Sequence, residues 1–502
     1  MDSNAPLYMI PFREAQRILK GKAISFGTEE VPLGEADGRV LADPVRADRD
    51  YPPFNRATMD GYALNRSDLG KDIRRFEIIE TIYAGAGATL PFRPGTCYKI
   101  MTGAPVPQDV DLIIRREDTL EEEGYMEIRP PANPGRSPEP APAPASPKPA
   151  PGSTPAPAAP ISEPASIPAP VAPAPGAAPN PASPAPADPV SPTAPAPASP
   201  KPAPGSTQAP ASPAPAAPIS GGPASVSDLP FPDRPFLNIA RQGEDMLSGQ
   251  PIIDEPCLCT PSLIGLLASL GKKELTVQKL PKLALITTGN EVVPVDAPVS
   301  PVQIRNSNRW LLQSLLQKWH ITPSFYAHAP DDKPRLRTTI KESLTADVVL
   351  LCGGVSAGDA DYVPEVLGEL GVDCLFHKLA IKPGKPVWCG TTPKGGLVIA
   401  LPGNPFSCLT GFVLLIEPWL QACFGLKEQP PLGLPLATAK KKKTPLDEFF
   451  PVRISGSPAQ LLPVTLNGSG DIRLGMQANA LALHPSENGD LAPGTNLLYF
   501  GF

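Results

Sequence analysis

The stretch CGGVSAGDADY, Cys352 to Tyr362, directly follows the apolar run Val348 to Leu351. The apolar run predicts a buried strand, and the glycines behind it let backbone N–H groups close around a ligand. Anions, commonly phosphates, are bound in this way, although glycines after a strand also form plain turns. The candidate binding residues of this loop are Gly353, Gly354, Ser356 and Gly358.

Apolar strands alternate with helices through the second half of the chain. KLALITTGNE, DVVLLCGG and LVIALPGNP are typical of strands that end in turn residues. Between them, SNRWLLQSLLQKWH carries apolar residues at positions 311, 312, 315, 316 and 319, a helical spacing, and PDDKPRLRTTIKESL opens another helix. This alternation predicts a central three-layer α/β domain with a mostly parallel sheet.

Ligands of such sheets bind outside the carboxyl ends of the strands. Three loops are predicted there: Thr288 to Glu291, Gly353 to Asp361, and Pro402 to Asn404. Three such loops in one sheet favour a binding site over plain turns. The last loop adds the candidate ligand-binding residues Pro402, Gly403 and Asn404.

Candidate cations lie in HKLAIKPGKP, which contains Lys378, Lys382 and Lys385. An apolar strand and a Pro-Gly turn frame these lysines, which favours an anion-binding role over the alternative of an exposed basic loop. The tetralysine Lys440 to Lys443 has no such frame, and we predict that it forms a solvated loop.

Three acids, Glu291, Asp331 and Asp361, are expected near the same sheet edge, where they would repel an anion unless a cation lay between them. Oxygen ligands without a histidine cluster suit Mg²⁺, which bridges carboxylates to phosphate oxygens. For each acid the alternative is a helix cap or a turn, above all for Asp331. The residues themselves thus indicate a metal-assisted site for a phosphate-bearing ligand.

A block rich in proline and alanine, residues 137–235, holds most of the 73 prolines of the 502-residue chain. Alternating Pro and Ala removes amide donors and offers nothing large to bury, so we predict a disordered insertion with polyproline II character. It serves as a surface tether or, alternatively, as a PxxP ligand that recruits a partner protein.

Charge and hydropathy exclude other classes of protein. The formal charge of −6 argues against a nucleic-acid binder. The longest apolar run, Phe406 to Ile416, is shorter than the roughly 20 residues that span a bilayer, so we expect no membrane segment. The N-terminus lacks the pattern of a signal peptide, and the eight cysteines are scattered, which predicts a cytoplasmic protein.

Six motifs occur in one order along the chain: PPFNRATMDGYAL, IMTGAPVP, ARQGEDM, GGVSAGDADY, KLAIKPGKP and LPGNP. Together they resemble the molybdopterin molybdenumtransferase family, the MoeA-type enzymes. The resemblance implies insertion of molybdate into adenylylated molybdopterin with release of AMP, dependence on Mg²⁺, and an elongated homodimer with sites at the subunit interface. Sequence does not separate molybdate from tungstate.

The resemblance also implies roles for individual residues. It implies functional positions at Asp60, Thr102, Asp245, Glu291, Asp331, Asp361, Lys378 and Lys382, with Asp245, Glu291 and Asp361 as metal ligands, and, on thinner flanking sequence, cofactor-binding positions at Arg453 and Ser469. Asp60 and Thr102 are also compatible with plain hairpin turns. Two departures are visible: Asn290 stands where the family usually has Asp, and the proline block replaces a short connection.

The predicted organisation is an α/β multidomain protein whose central domain is of the molybdopterin-binding type. The domains are a mixed α+β N-terminal region at 6–136 and 236–271, the insertion at 137–235, the α/β domain at 272–425, and a small β-barrel-like domain at 432–502. Two alternatives to the transferase are a molybdopterin adenylyltransferase, which the α/β domain alone also resembles, and a non-enzymatic scaffold that binds partners through the insertion.

Overall fold

The computed structural model describes residues 7–71, 73–129, 236–355 and 361–502. The insertion at 137–235 lies outside the described residues, and so do the loop candidates Ser356 and Gly358.

The described part of the N-terminal region contains short strands and helices. Its strands are β1 Leu7–Ile10, β2 Thr28–Pro32, β3 Val40–Leu41, β4 Val45–Arg46, β5 Arg56–Ala57, β6 Gly61–Leu64, β7 Arg75–Ile82, β8 Thr96–Ile100, β9 Leu112–Arg115, β10 Thr119–Glu122, β11 Tyr125–Ile128, β12 Ile239–Ala240, β13 Pro251–Ile253, β14 Cys257–Leu258 and β15 Glu274–Gln278. Its helices are α1 Phe12–Lys20, α2 Arg66–Leu69 and α3 Pro261–Ser269.

These strands form two main sheets. One has the order β10-β11-β7-β8-β6-β9, and the other has the order β14-β3-β15-β2. The chain on both sides of the insertion returns to the first sheet: Arg129 N donates to Asp118 O, and Ile113 N donates to Leu237 O. The described residues on the two sides of the insertion therefore belong to one sheet.

The α/β domain follows from residue 283. Its strands are β16 Leu283–Thr288, β17 Val292–Val293, β18 Ile304–Arg305, β19 Phe325–Ala329, β20 Val348–Cys352, β21 Asp373–Leu379, β22 Ile381–Lys382, β23 Trp388–Thr391 and β24 Leu397–Leu401. Its helices are α4 Ser307–Gln317, α5 Lys333–Ser343, α6 Val363–Glu369, α7 Pro405–Gly411 and α8 Glu417–Cys423.

The main sheet of this domain has the order β1-β21-β23-β24-β20-β16-β19. β23 runs antiparallel to both of its neighbours, and the other pairs are parallel. β20 shows how both faces are covered: Val348, Leu350 and Cys352 pack into one apolar cluster, and Val349 and Leu351 pack into the other. A strand buried on both faces explains the continuous apolar run in the sequence.

The first described residues belong to this sheet. β1 pairs in parallel with β21, and Ile10, Phe12 and Leu19 are buried in the same apolar cluster as Leu350. The sequence analysis assigned this segment to the N-terminal region. Its place in the α/β sheet could not be predicted, because no local pattern reveals which sheet a four-residue edge strand joins.

The chain ends in a small β unit. It contains β25 Gly433–Pro435, β26 Asp447–Ser455, β27 Gln460–Pro463, β28 Ala480–His484 and β29 Asn496–Gly501, with a short helix, α9 Leu474–Gln477. The sheet order is β22-β26-β28-β29-β25. β27 also pairs with β26, outside this order. One strand of this sheet, β22, therefore comes from the α/β stretch of the chain.

Helices α7 and α8 form one continuous helix, Pro405–Cys423, and Phe412–Ile416 between them form a π turn. The sequence analysis ended the apolar run at Glu417; the helix continues because the π turn precedes Pro418, which has no N–H to donate. Within the described residues, this helix is long and apolar enough to cross a membrane by length and composition, but 78% of its most apolar window is buried inside the protein. Its apolar composition is that of a core helix.

Candidate active site

A cavity of about 1040 Å³ lies at the carboxyl ends of β16, β20 and β24, between the α/β domain and the C-terminal β unit. Many residues predicted from the sequence line it: Gly353, Gly354, Glu291, Asp331, Asp361, Lys382, Lys385, Pro402, Gly403, Asn404 and Ser469. The structure thus brings three loops, three acids and two lysines to one place.

The glycines of the loop after β20 allow neighbouring strand ends to touch. Gly353 and Gly354 have φ of 103° and 67°, values that favour glycine. A Cβ on Gly353 would overlap the Thr288 hydroxyl at the end of β16. Gly353 N also donates to Leu401 O at the end of β24, at 3.0 Å. The loop therefore joins the three strand ends that form the floor of the cavity.

The loop that carries Glu291 rests on a polar network. His328 contacts Gly289 O through Nε2 at 3.1 Å and the Thr287 hydroxyl through Nδ1 at 3.0 Å. Asn306 Nδ2 donates to the same hydroxyl at 2.8 Å. This network fixes the turn after β16 and with it the position of Glu291.

Asp331 is not the cap of helix α5. The N-cap is Asp332, whose carboxylate accepts from Arg335 N at 3.0 Å. Asp331 instead faces the loop after β16 and lines the cavity. Helix α6, beside Asp361, has Tyr362 at its N-cap and no side-chain cap hydrogen bond from that residue.

The acids suit a metal ion whose coordination shell is completed by a bound ligand. In the described part of the chain, no three His, Cys, Asp or Glu side chains come together closely enough to hold a metal by themselves. Mg²⁺ commonly takes only one or two carboxylates and fills its remaining positions with waters and substrate phosphates. Glu291 and Asp361, on neighbouring loops of one cavity, are a donor set of that kind.

The predicted lysines separate in the structure. Lys382 lines the cavity on β22, where it pairs in register with Glu448 of β26, and Lys385 lines it after the following turn. Lys378 does not line the cavity: its Nζ donates to Tyr8 OH and lies 4.9 Å from the centre of that ring. The N-terminal strand therefore holds Lys378 at the edge of the sheet.

Asp60 and Thr102 form a pair in the N-terminal region, outside this cavity. Asp60 Oδ1 accepts from Thr102 N at 2.8 Å and from Thr102 Oγ1 at 2.7 Å. These two hydrogen bonds hold the pKa of Asp60 below its usual value, and the one from the Thr102 backbone N–H has the larger effect. Lys99 and Arg116 line the same small depression as Asp60.

Two further predicted residues also lie elsewhere. Asp245 belongs to a turn in which its backbone N donates to Tyr51 O at 2.9 Å. Arg453 lies on β26 opposite Leu462 of β27 and is exposed. The residue of β26 that lines the cavity near this point is Pro451.

Sequence reasoning missed several residues that line the cavity. The tetralysine Lys440 to Lys443, predicted to form a solvated loop, contributes Lys440, Lys441 and Lys443. Three buried polar atoms of lining residues have no hydrogen-bond partner among the residues that the structure describes: Thr288 Oγ1, Asn308 Oδ1 and Glu448 Oε2. Unpartnered buried atoms of this kind indicate a polar ligand. Of these three residues, only Thr288 lies in a loop that the sequence analysis placed at a strand end.

The α/β domain and the C-terminal unit are tied together at the cavity. Asn404, at the N-cap of α7, donates through Nδ2 to the Ser469 hydroxyl at 2.9 Å, and Phe406 N donates to Ser469 O at 3.0 Å. Two residues that the sequence analysis selected independently are thus in direct contact.

The comparisons with known proteins agree with this architecture. A family model described as "MoeA N-terminal region (domain I and II)" matches residues 10–148, and one described as "Probable molybdopterin binding domain" matches residues 284–422. Together they match more than half of the chain. The fold and site thus define a multidomain protein with a molybdopterin-binding α/β domain. The chain belongs to the MoeA-type molybdopterin molybdenumtransferase family.

Individual relatives extend the match over nearly the whole chain. The molybdopterin molybdenumtransferase of Synechococcus elongatus is 29% identical over 437 residues, which cover 85% of this chain and 83% of that protein. That of Bacillus subtilis is 25% identical over 490 residues, which cover 95% and 90%. A crystal structure of the molybdopterin biosynthesis moeA protein from Pyrococcus horikoshii has a TM-score of 0.67 at 22% identity and covers 98% of this chain and all of that one. This last likeness concerns the fold.

Proposed function

We propose that this chain is a molybdopterin molybdenumtransferase, which inserts molybdate into adenylylated molybdopterin and releases AMP. Family membership supports the activity, and the cavity supports its location. The observation that carries the proposal is the convergence of the glycine loop, the acids Glu291, Asp331 and Asp361, and the lysines Lys382 and Lys385 on one cavity.

The phosphate-bearing part of the substrate binds at the strand ends. The loop after β20 approaches closely because Gly353 and Gly354 have no side chains, and the start of α7 lies beside it at Gly403 and Asn404. Lys382 and Lys385 add positive charge. This arrangement holds the phosphoanhydride and leaves the dithiolene end of the pterin to meet molybdate in the rest of the cavity.

Mg²⁺ is the proposed cofactor. Bound there, Mg²⁺ would supply positive charge beside the departing phosphate. Glu291 and Asp361 would hold it, and the network under Gly289 keeps Glu291 in position. Asp331 also lines the cavity and would help to orient molybdate.

The proposed assembly is a cytoplasmic homodimer. Asp60 and Thr102, which match functional positions of the family, do not line the cavity of their own chain. In a dimer with sites at the subunit interface, a second copy would bring this pair to the cavity. The family resemblance supports this arrangement, and the Asp60–Thr102 pair gives it a specific residue-level test.

The experiment is an AMP-release assay with purified protein, adenylylated molybdopterin, Mg²⁺ and molybdate. The transferase releases AMP only when the oxyanion is present. An adenylyltransferase would instead consume ATP and molybdopterin and release pyrophosphate. If the protein releases neither AMP nor pyrophosphate, the chain is a non-enzymatic relative of these enzymes.

A further inference from the structure

Among the described residues, two side chains of the tetralysine Lys440 to Lys443 have protein partners and two have none. It lies in the loop before β26 and contributes Lys440, Lys441 and Lys443 to the cavity wall on the side of the C-terminal unit. Adjacent lysines repel one another, so a run of four at a cavity requires a physical reason.

The anchored lysines are Lys440 and Lys442. Lys440 Nζ lies 2.6 Å from Glu448 Oε1, with each side chain only 11% exposed, and it also lies 4.6 Å from the centre of the Phe450 ring. Lys442 Nζ donates to the carbonyls of Leu446 at 3.2 Å and His484 at 3.3 Å. These contacts fix the backbone of the loop on the C-terminal sheet.

The unpaired lysines are Lys441 and Lys443. Both are exposed and line the cavity, and neither side chain forms an ion pair or hydrogen bond with the residues that the structure describes. The nearby acids have other partners: Glu448 binds Lys440, Asp447 accepts from Ser486 N, and Asp490 accepts from Lys442 N. Because the loop is anchored through alternate residues, the two unpaired ammonium groups are both presented to the cavity.

This wall of the cavity has a further mark of a binding site. Glu448 Oε2 is buried, lines the cavity and has no hydrogen-bond partner among the described residues, so it is placed to accept from a water that solvates a bound anion. The arginine predicted for this strand, Arg453, does not line the cavity, and Pro451 lies there instead. Positive charge on this wall therefore comes from the loop.

We propose that Lys441 and Lys443 form a second anion subsite that binds an oxyanion group. The subsite rests on the proposed function for its ligand, which is either free molybdate or a phosphate group of the adenylylated substrate. It is distinct from the glycine loop, because its residues belong to the C-terminal unit. Its role is to bind and place the anion; no bond is made or broken by the lysines.

The test compares the double variant Lys441→Gln/Lys443→Gln with a charge-matched control, Lys272→Gln/Lys394→Gln. Lys272 and Lys394 are exposed and do not line the cavity. Titration calorimetry at low salt measures the binding of two probes, sodium tungstate and AMP. We expect the Kd of one probe to rise at least about tenfold in the first variant, as for the loss of charged hydrogen bonds, and to stay near the wild-type value in the control.

The outcomes are separable. Weakened tungstate binding assigns the subsite to the free oxyanion, and weakened AMP binding assigns it to a phosphate of the nucleotide. Unchanged binding of both probes, or equal weakening in the control, overturns the proposal. Lys441→Arg/Lys443→Arg should restore binding, and thermal unfolding of each variant checks the fold. AMP release by the wild type is measured separately, so that a failure of the proposed transferase activity is distinguished from a failure of the subsite.

Discussion

Asn290 and Asp331 hold each other by reciprocal hydrogen bonds across two loops of the cavity. Asn290 N donates to Asp331 Oδ2 at 3.2 Å, and Asp331 N donates to Asn290 Oδ1 at 3.1 Å. Asn290 is the position at which the family usually has Asp. The amide side chain keeps the acceptor oxygen of Asp without its charge, so the two loops meet with a single carboxylate.

Asn290→Asp should make the pairing of these loops depend on a cation. In the variant, the carboxylates of residues 290 and 331 would face each other, and two such carboxylates repel unless a metal lies between them. We expect the Tm of the variant to fall below that of the wild type without metal and to recover when Mg²⁺ is added, whereas the wild type responds less to Mg²⁺. Differential scanning fluorimetry across a Mg²⁺ titration measures this. Equal responses of both proteins would contradict a cation site at these loops.

A comparison of Lys382→Ala with Lys378→Ala should distinguish a lysine that binds the ligand from one that is held by the protein. Lys382 lines the cavity, so its loss should weaken binding of adenylylated molybdopterin by about 1–3 kcal/mol with little change in Tm, as for a hydrogen bond to a charged group. Lys378 is held by Tyr8, so its loss should affect binding less. Calorimetric titration of both variants gives the comparison, and a larger loss for Lys378→Ala would reverse the assignment.

Asp361→Asn should abolish most AMP release and leave Tm close to the wild-type value. The variant keeps the size of the side chain and removes the charge that would hold a cation. A capping carboxylate would tolerate Asn almost as well, but Tyr362 occupies the N-cap of α6. Full turnover by Asp361→Asn in the AMP-release assay would exclude a metal-binding role.

Thr102→Val should raise the pKa of Asp60 towards its usual value. The hydroxyl hydrogen bond is lost, while the backbone N–H remains, so the pKa should stay partly lowered. A lowered pKa stabilises the folded state above the normal carboxyl pKa, and this contribution is lost as the pH falls through the folded value. In the variant this contribution should be smaller, and its loss should be complete at a higher pH. NMR titration of the Asp60 carboxyl carbon, with Thr102→Ser as the control, measures the shift.

Replacing residues 137–235 by a short Gly-Ser linker should leave folding and activity nearly intact. Both flanks are already attached to the six-stranded sheet of the N-terminal region, through Arg129 and Leu237. The closure entropy of a loop grows only slowly with its length, so the replacement should change stability little. An insoluble or inactive protein would show that the insertion has a structural role. Unfolding curves and AMP release measure the two properties.

Much of the fold could be predicted because the pattern is strong where strands are buried on both faces. The run Val348 to Leu351 has no polar residue, and β20 is the strand that it forms. The attachment of β1 could not be predicted, because parallel pairing with β21 joins residues far apart in the sequence. The same holds for β22, whose two residues pair with β26.

The candidate site was partly predictable for a similar reason. Strand ends of a parallel sheet meet at one edge, so Glu291, Asp361 and the glycine loop could be expected together. The lysine loop could not, because its anchors, Glu448 and the carbonyl of His484, come from later strands. A run of lysines has the same appearance in sequence whether it is solvated or anchored.

A single residue, Ala380, separates β21 of the α/β sheet from β22 of the C-terminal sheet. Lys382 therefore lies only a few residues from β21 of the α/β sheet. Its backbone pairs with β26 of the C-terminal sheet. The C-terminal unit cannot swing open as a lid without breaking the pairing of Ile381 and Lys382 with β26. A wider entrance to the cavity would therefore have to come from the loops around it, not from movement of the whole unit.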